Sequence, residues 1–310
     1  MQIYLPVAEI PVNIILILLL GLATGFLAGM FGIGGGFLAT PFLMFIGIPP
    51  AIAVSTSANQ IIASSVSGVL AHLRKGSVDM KMGLFLVIGG LIGSTLGVSI
   101  FKILQKVGQI DLVISLTYVI FLGSISITML IDSVKTLVEK KYGVTWEKTE
   151  NLRFEKFLYK INNLPWKVNF PKSNIEVSAI VPIVLSCGIG ILVALMGIGG
   201  GFLMIPAMIY ILRMPSSVVV GTSLFQIVFI ASNATFLQAA TNNTVDIVLA
   251  FLMIISSSIG AQIGTRSGHK VDADSMRSFL SLLLLGVCIK MMIGIIITPQ
   301  NLYIIEILKR

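Results

Sequence analysis

The chain has 310 residues, 56% of them hydrophobic and 11% charged, with a mean hydropathy of +1.00. Soluble domains carry about 25% charged residues, so the composition excludes an ordinary soluble enzyme or binding module and indicates an integral membrane protein. The formal net charge of +8 does not signal a nucleic-acid partner, because the basic residues sit at the ends of apolar runs and in one loop, as membrane topology requires.

A helix needs about 20 apolar residues to span the hydrocarbon. Taken in chain order, residues near 12 to 30, 51 to 72, 82 to 101, 111 to 133, 177 to 196, 215 to 238, 246 to 265 and 278 to 298 qualify, which predicts an all-α protein with about eight transmembrane helices. Met1 to Pro11 lacks the Lys or Arg of a secretory signal, so the first run reads as a retained span. Two shorter apolar pieces, 36 to 47 and 201 to 212, each follow a glycine cluster.

Those clusters are the most informative feature. Phe31 to Pro41 (FGIGGGFLATP) returns as Met196 to Pro206 (MGIGGGFLMIP). The similarity extends outward: Thr56, Ser57 and Gln60 are echoed by Thr222, Ser223 and Gln226, and Val78-Asp79 by Val245-Asp246. Small-residue ladders repeat too, with Gly21, Gly25 and Gly29 matching Ser186, Gly190 and Ala194, and Gly89, Gly93 and Gly97 matching Ser256, Gly260 and Gly264. The pattern predicts a first membrane repeat over 1–138, a connecting loop over 139–176 and a second repeat over 177–310. Each repeat reads as a span, a glycine break, a short half-helix and three further spans. The half-helix is under spanning length, which favours re-entry, four crossings per repeat and one orientation for both; a crossing half-helix would invert them.

With both termini inside, 14 basic residues are cytoplasmic against six outside, so cytoplasmic termini are expected. The loop places Phe154, Phe157, Leu158 and Ile161 at one-face helical spacing, the pattern of an amphipathic helix on the headgroups or of a plain linker.

A helix that restarts after a glycine break offers unpaired N–H groups and a partial positive charge, which suit an anion without any cationic side chain. The candidate substrate site is therefore Gly32, Gly34, Gly35 and Gly36 with Thr56, Ser57, Asn59 and Gln60, together with Gly197, Gly199, Gly200 and Gly201 with Thr222, Ser223 and Gln226. The hydroxyls and amides share a helical face and offer neutral donors; interhelical hydrogen bonding is the competing use of the same face, and close packing that of the glycines. Phe225 stands opposite Asn59, so the two copies differ. Lys290, deep in the last apolar run, either acts as a charge or proton site or extends its ammonium to an interface. None of the 13 acidic residues lies mid-span, so a carboxylate proton relay is not visible, and no cofactor or metal is called for.

With its paired GIGGGFL motifs and the TS..NQ and TS..Q strings after them, the sequence resembles the TauE/SafE sulfite exporter family over about 260 residues. The resemblance implies a multi-pass permease of the cell membrane, a secondary exporter of sulfite, an organosulfonate or another small anion. With no mid-span carboxylate, a coupling proton is one that rides on the substrate or on Lys290. An anion channel on the same scaffold and a membrane-embedded enzyme are the alternatives, although no acid, base or nucleophile constellation supports the enzyme.

Overall fold

The computed structural model describes residues 2–31, 36–142, 165–268 and 273–296. Among these, ten helices account for most of the chain. They are α1 (Ile14–Phe31), α2 (Gly36–Phe45), α3 (Pro50–Arg74), α4 (Met80–Val107) and α5 (Ile110–Tyr142), then α6 (Ile180–Met196), α7 (Gly201–Tyr210), α8 (Ser216–Leu237), α9 (Ile247–Gly268) and α10 (Ala273–Ile296). All ten predicted apolar segments are helical. A π-helical turn, Gln238–Asn242, extends α8.

Five helices, α4, α5, α8 with its π turn, α9 and α10, are long and apolar enough to cross a membrane. The expectation of eight equivalent spans is thus met only in part. Helix α3 has the length, 25 residues, but its apolar content is diluted by Ser55, Thr56, Ser57, Asn59 and Gln60, four of which are buried. A helix surrounded by protein needs no greasy exterior. The outer helices do have one: Leu84, Ile88, Ile92 and Leu96 form an exposed stripe along α4, as do Phe251, Ile255, Ile259 and Ile263 along α9. Contiguous exposed Ile and Leu at every fourth position is a surface suited to lipid.

Two short hairpins were not anticipated. Strand β1 (Gln2–Leu5) pairs antiparallel with β2 (Ile10–Asn13), Gln2 opposite Asn13, and β3 (Lys167–Phe170) pairs with β4 (Ile175–Ser178), Lys167 opposite Ser178. Their loops close through left-handed residues at matching places, Glu9 at φ 55° and Asn174 at φ 50°. The second hairpin occupies the end of the segment expected to be a connecting loop; the amphipathic stretch around Phe154 to Ile161 lies outside the described residues.

The chain divides into two compact units, α1–α4 with α6–α9 and both hairpins in one, α5 and α10 in the other. In the smaller unit Cys288 Sγ donates to Val119 O at 3.4 Å. In the larger unit the ladders decide the pairing. Gly21, Gly25 and Gly29 of α1 face Ser256, Ser257 and Ala261 of α9, while Gly89, Gly93 and Gly97 of α4 face Ile183, Cys187 and Ile191 of α6. Both pairs run parallel, because the numbers rise together. A Cβ at Gly25 or Gly93 would collide with the opposing backbone carbonyl, so the helices approach as closely as backbones allow.

Helices α3 and α8 pack the opposite way. Gly68 lies against Leu224 and Gly221 against His72, so one number rises as the other falls and the two helices are antiparallel. This corrects the expectation that both segments share one orientation. The difference originates at α1 and α2. Leu43 and Ile48, at the far end of α2, share a core cluster with Leu5, Val12 and Ile17, so the α1–α2 pair starts and ends at the same end of the unit. Met208, Leu212, Phe170, Val177 and Val181 form the corresponding cluster around α6, α7 and the second hairpin.

Replacing Gly93 with Leu should lower the midpoint of thermal unfolding in detergent, by an amount equivalent to about 1–3 kcal/mol of overpacking. Gly188→Ala on α6, where a Cβ meets nothing within 4 Å, should leave the midpoint unchanged or raise it.

Candidate functional site

Helix α6 stops at Gly197, whose φ of 63° is left-handed and whose N–H donates to Val193 O at 2.8 Å. Ile198, Gly199 and Gly200 are not helical, and α7 begins at Gly201. Glycine at 197 is required twice, by the positive φ and by space, since a Cβ would crowd Val54 O and Ser57 Oγ of α3. The first N–H groups of a restarted helix have no intrahelical partners. Here α7 starts in fully buried backbone, residues 197–202, where Phe202 N–H donates to Gly199 O at 3.3 Å and Met204 N–H donates to Gly200 O at 2.7 Å.

Of the first break, Gly36 is described; Gly32, Gly34 and Gly35 lie outside the described residues. A Cβ at Gly36 would collide with Ile61 of α3 and come within 2.9 Å of Gly197 O, so the start of α2 adjoins the second break. Phe37 and Phe202, the second residues of α2 and α7, stack face to face with centroids 4.9 Å apart and planes 10° from parallel. Ile61 and Ile227 belong to one buried cluster beside them. Residues 165 or 166 apart thus meet their own counterparts, as residues do at a twofold axis.

The side chains expected to line this junction divide into two groups. Thr56 and Thr222 serve as structural pins: Thr56 Oγ1 accepts from the backbone N–H of Asp246 at 3.2 Å, and Thr222 Oγ1 accepts from that of Asp79 at 3.0 Å. Thr222 spends its own proton on Val218 O at 2.7 Å. Ser223 Oγ donates to Val220 O, and Asn59 Nδ2 reaches Thr56 O at 3.4 Å. Ser57 stays at the junction, 2.6 Å from Thr40 Oγ1 and 3.5 Å from Gly197 O.

Gln60 and Gln226 are each 1% exposed. Gln60 Nε2 donates to Thr24 Oγ1 of α1 at 2.9 Å, and Gln226 Nε2 donates to Ser186 Oγ of α6 at 2.7 Å. The carbonyl oxygen of both amides is buried and has no hydrogen-bond partner. Thr24 and Ser186 were not singled out as partners; a lone hydroxyl in an otherwise apolar stretch of α1, and a serine heading the α6 ladder, were the available signals.

Asp79 and Asp246 are the larger omission. Each caps a helix, Asp79 Oδ1 accepting from Met82 N and Asp246 Oδ1 from Leu249 N, both at 3.0 Å. Their second oxygens hold the hairpins: Asp79 Oδ2 accepts from Ser173 Oγ at 2.5 Å, and Asp246 Oδ2 from Val7 N at 2.9 Å. The repeated Val-Asp pairs were visible in the sequence, but the hairpins they hold were not.

Lys290 lies on the exposed side of α10, next to exposed Ile289. Among the described residues no group of three His, Cys, Asp or Glu side chains is placed to hold a metal ion.

Apolar helices with lipid-suited stripes, enclosing a buried junction where α7 restarts beside α2, define a multi-pass membrane protein, and its relatives are named as probable membrane transporters. The family model for sulfite exporter TauE/SafE matches residues 17–291, and the chain belongs to that family. The resemblance drawn from the paired glycine motifs is thereby borne out. The chain is 25% identical over 281 residues to the probable membrane transporter protein YunE of Bacillus subtilis, covering 88% of this chain and 95% of that one. It is 28% identical over 272 residues to YjnA of the same organism, also a probable membrane transporter protein, covering 87% and 96%. Sulfite exporter TauE/SafE family protein 1 of Arabidopsis thaliana is 27% identical over 103 residues, 33% of this chain and 23% of that protein. No solved structure matches the chain.

Asp79→Ala removes one cap and one hairpin anchor, worth about 0.5–2 kcal/mol for the cap. Amide hydrogen exchange at 167–178 should accelerate while exchange at 2–13 stays unchanged; uniform exchange across both hairpins would contradict the anchoring role.

Proposed function

We propose that the protein is a secondary transporter, an exporter of a small sulfur-containing oxyanion such as sulfite or an organosulfonate, working by alternating access between two inversely oriented repeats. The observation that carries this reading is the junction of α2 and α7. Two restarted helices begin beside one another in buried backbone, and a helix N-terminus binds an oxyanion through its N–H groups and dipole. The substrate site comprises those first turns, Gly36 and Gly197 to Gly201, with Ser57, Gln60 and Gln226. Thr56 and Thr222 act as scaffolding.

In this reading α1–α2 and α6–α7 are re-entrant helix pairs, while α3, α4, α5, α8, α9 and α10 cross the membrane. Three crossings per repeat invert the second repeat relative to the first. The two ends of the larger unit differ in charge. Arg74, Lys75, Lys81, Lys167, Lys172, Arg213 and Arg266 lie at the second-hairpin end, against Lys102 and Lys106 at the first. The positive-inside rule then makes the second-hairpin end cytoplasmic and puts the first hairpin on the outer face, the reverse of the assignment made from sequence for the N-terminus.

Two experiments test this. In proteoliposomes, sulfite flux should saturate and show counterflow, and Gly200→Leu should reduce it about 10-fold or more, since displaced N–H donors forfeit at least about 1.4 kcal/mol; linear, unsaturable flux would favour a channel instead. In intact cells, a cysteine at Glu9 should react with an impermeant maleimide and one at Lys172 should not. The opposite labelling would overturn the orientation.

A further inference from the structure

The two orphaned amide oxygens restrict the transported species. Which end of an amide faces which partner is a question of hydrogen-bond logic, and here the logic is closed. Thr24 has one hydroxyl proton and gives it to Leu20 O at 2.9 Å; Ser186 gives its own to Leu86 O. Each hydroxyl can therefore only accept from its glutamine, which fixes Nε2 toward it and leaves Oε1 without a donor. A buried carbonyl without a donor is costly. The same cost recurs at two positions 166 residues apart, Gln60 and Gln226, each next in sequence to the isoleucine, Ile61 or Ile227, that packs against Gly36 or Gly200 at a helix start.

Resting on the anion-site reading above, we propose that the site takes an oxyanion that brings its own O–H group, such as hydrogensulfite or a hydroxyalkanesulfonate. The charged oxygens of such a ligand accept from the first-turn N–H groups of α2 or α7, and its hydroxyl donates to Gln60 Oε1 or Gln226 Oε1. A fully deprotonated oxyanion satisfies the helix ends and leaves the amide oxygens bare. Repulsion between those oxygens and its own lone pairs selects against it. A proton carried in this way travels with the substrate, so no acidic side chain is required in the path.

The test is equilibrium binding of two sulfonates of equal charge and similar size to the purified protein. Isethionate carries a terminal hydroxyl where propanesulfonate carries a methyl group. Wild type should bind isethionate about 10-fold more tightly or better, the effect of one buried hydrogen bond, even though propanesulfonate is the more apolar ligand. Gln60→Met and Gln226→Met should each shrink the isethionate-to-propanesulfonate affinity ratio. The wild-type ratio stands as a test even where a variant fails to fold. Equal binding of the two ligands to wild type overturns the proposal, assigns the amide oxygens to buried water, and leaves the anion site intact. No binding of either sulfonate or of sulfite overturns the anion site as well.

Discussion

A helix interrupted inside a membrane exposes backbone groups that lipid cannot satisfy, and the cost of each is several kcal/mol. The larger unit is arranged around that constraint. Its interruption at 197–200 is fully buried, and the start of α2 at Gly36 abuts it. The enclosing helices α3 and α8 carry Ser, Thr, Asn and Gln because their surroundings are protein. Helices α4 and α9 carry Leu, Ile and Phe along their exposed sides, a surface suited to lipid.

Close packing supplies the rigidity that such a junction needs. The α1 ladder meets the α9 ladder, and the α6 ladder meets that of α4, so each early helix is clamped to a late helix of the other segment. The two sequence copies are therefore interwoven and not packed as separate modules. Each end is finished alike, by a hairpin, a buried aspartate that caps a helix and holds the hairpin, and a threonine that pins the aspartate's backbone. Two ends built on one plan have closely related energies, and the proposed alternating access needs two states separated by only a few kcal/mol.

Much of this was legible in the sequence. Hydropathy and the glycine clusters located all ten helices, because lipid-length apolar runs and consecutive glycines are strong local signals. Orientation was not legible: it depends on whether α2 returns to the end where α1 began, and only packing reports that. The hairpins were missed because four-residue strands fall below what apolar periodicity resolves. A faint signal existed, since Gln2–Asn13 and Lys167–Ser178 share apolar residues at 3/168, 5/170, 10/175 and 12/177 and a proline at 6/171. Thr56 and Gln60, four residues apart on α3, are both buried. Spacing alone could not reveal that the threonine is spent on Asp246 while the glutamine keeps an unpaired oxygen.

The central claim is that two restarted helices jointly form one anion site. An experimental structure with bound selenite, located by the anomalous signal of selenium, tests it most directly. The account predicts one selenium peak within hydrogen-bonding reach of the first turns of α2 and α7, beside Ile61 and Ile227. A peak elsewhere, with both helix starts closed over by apolar side chains, would contradict it.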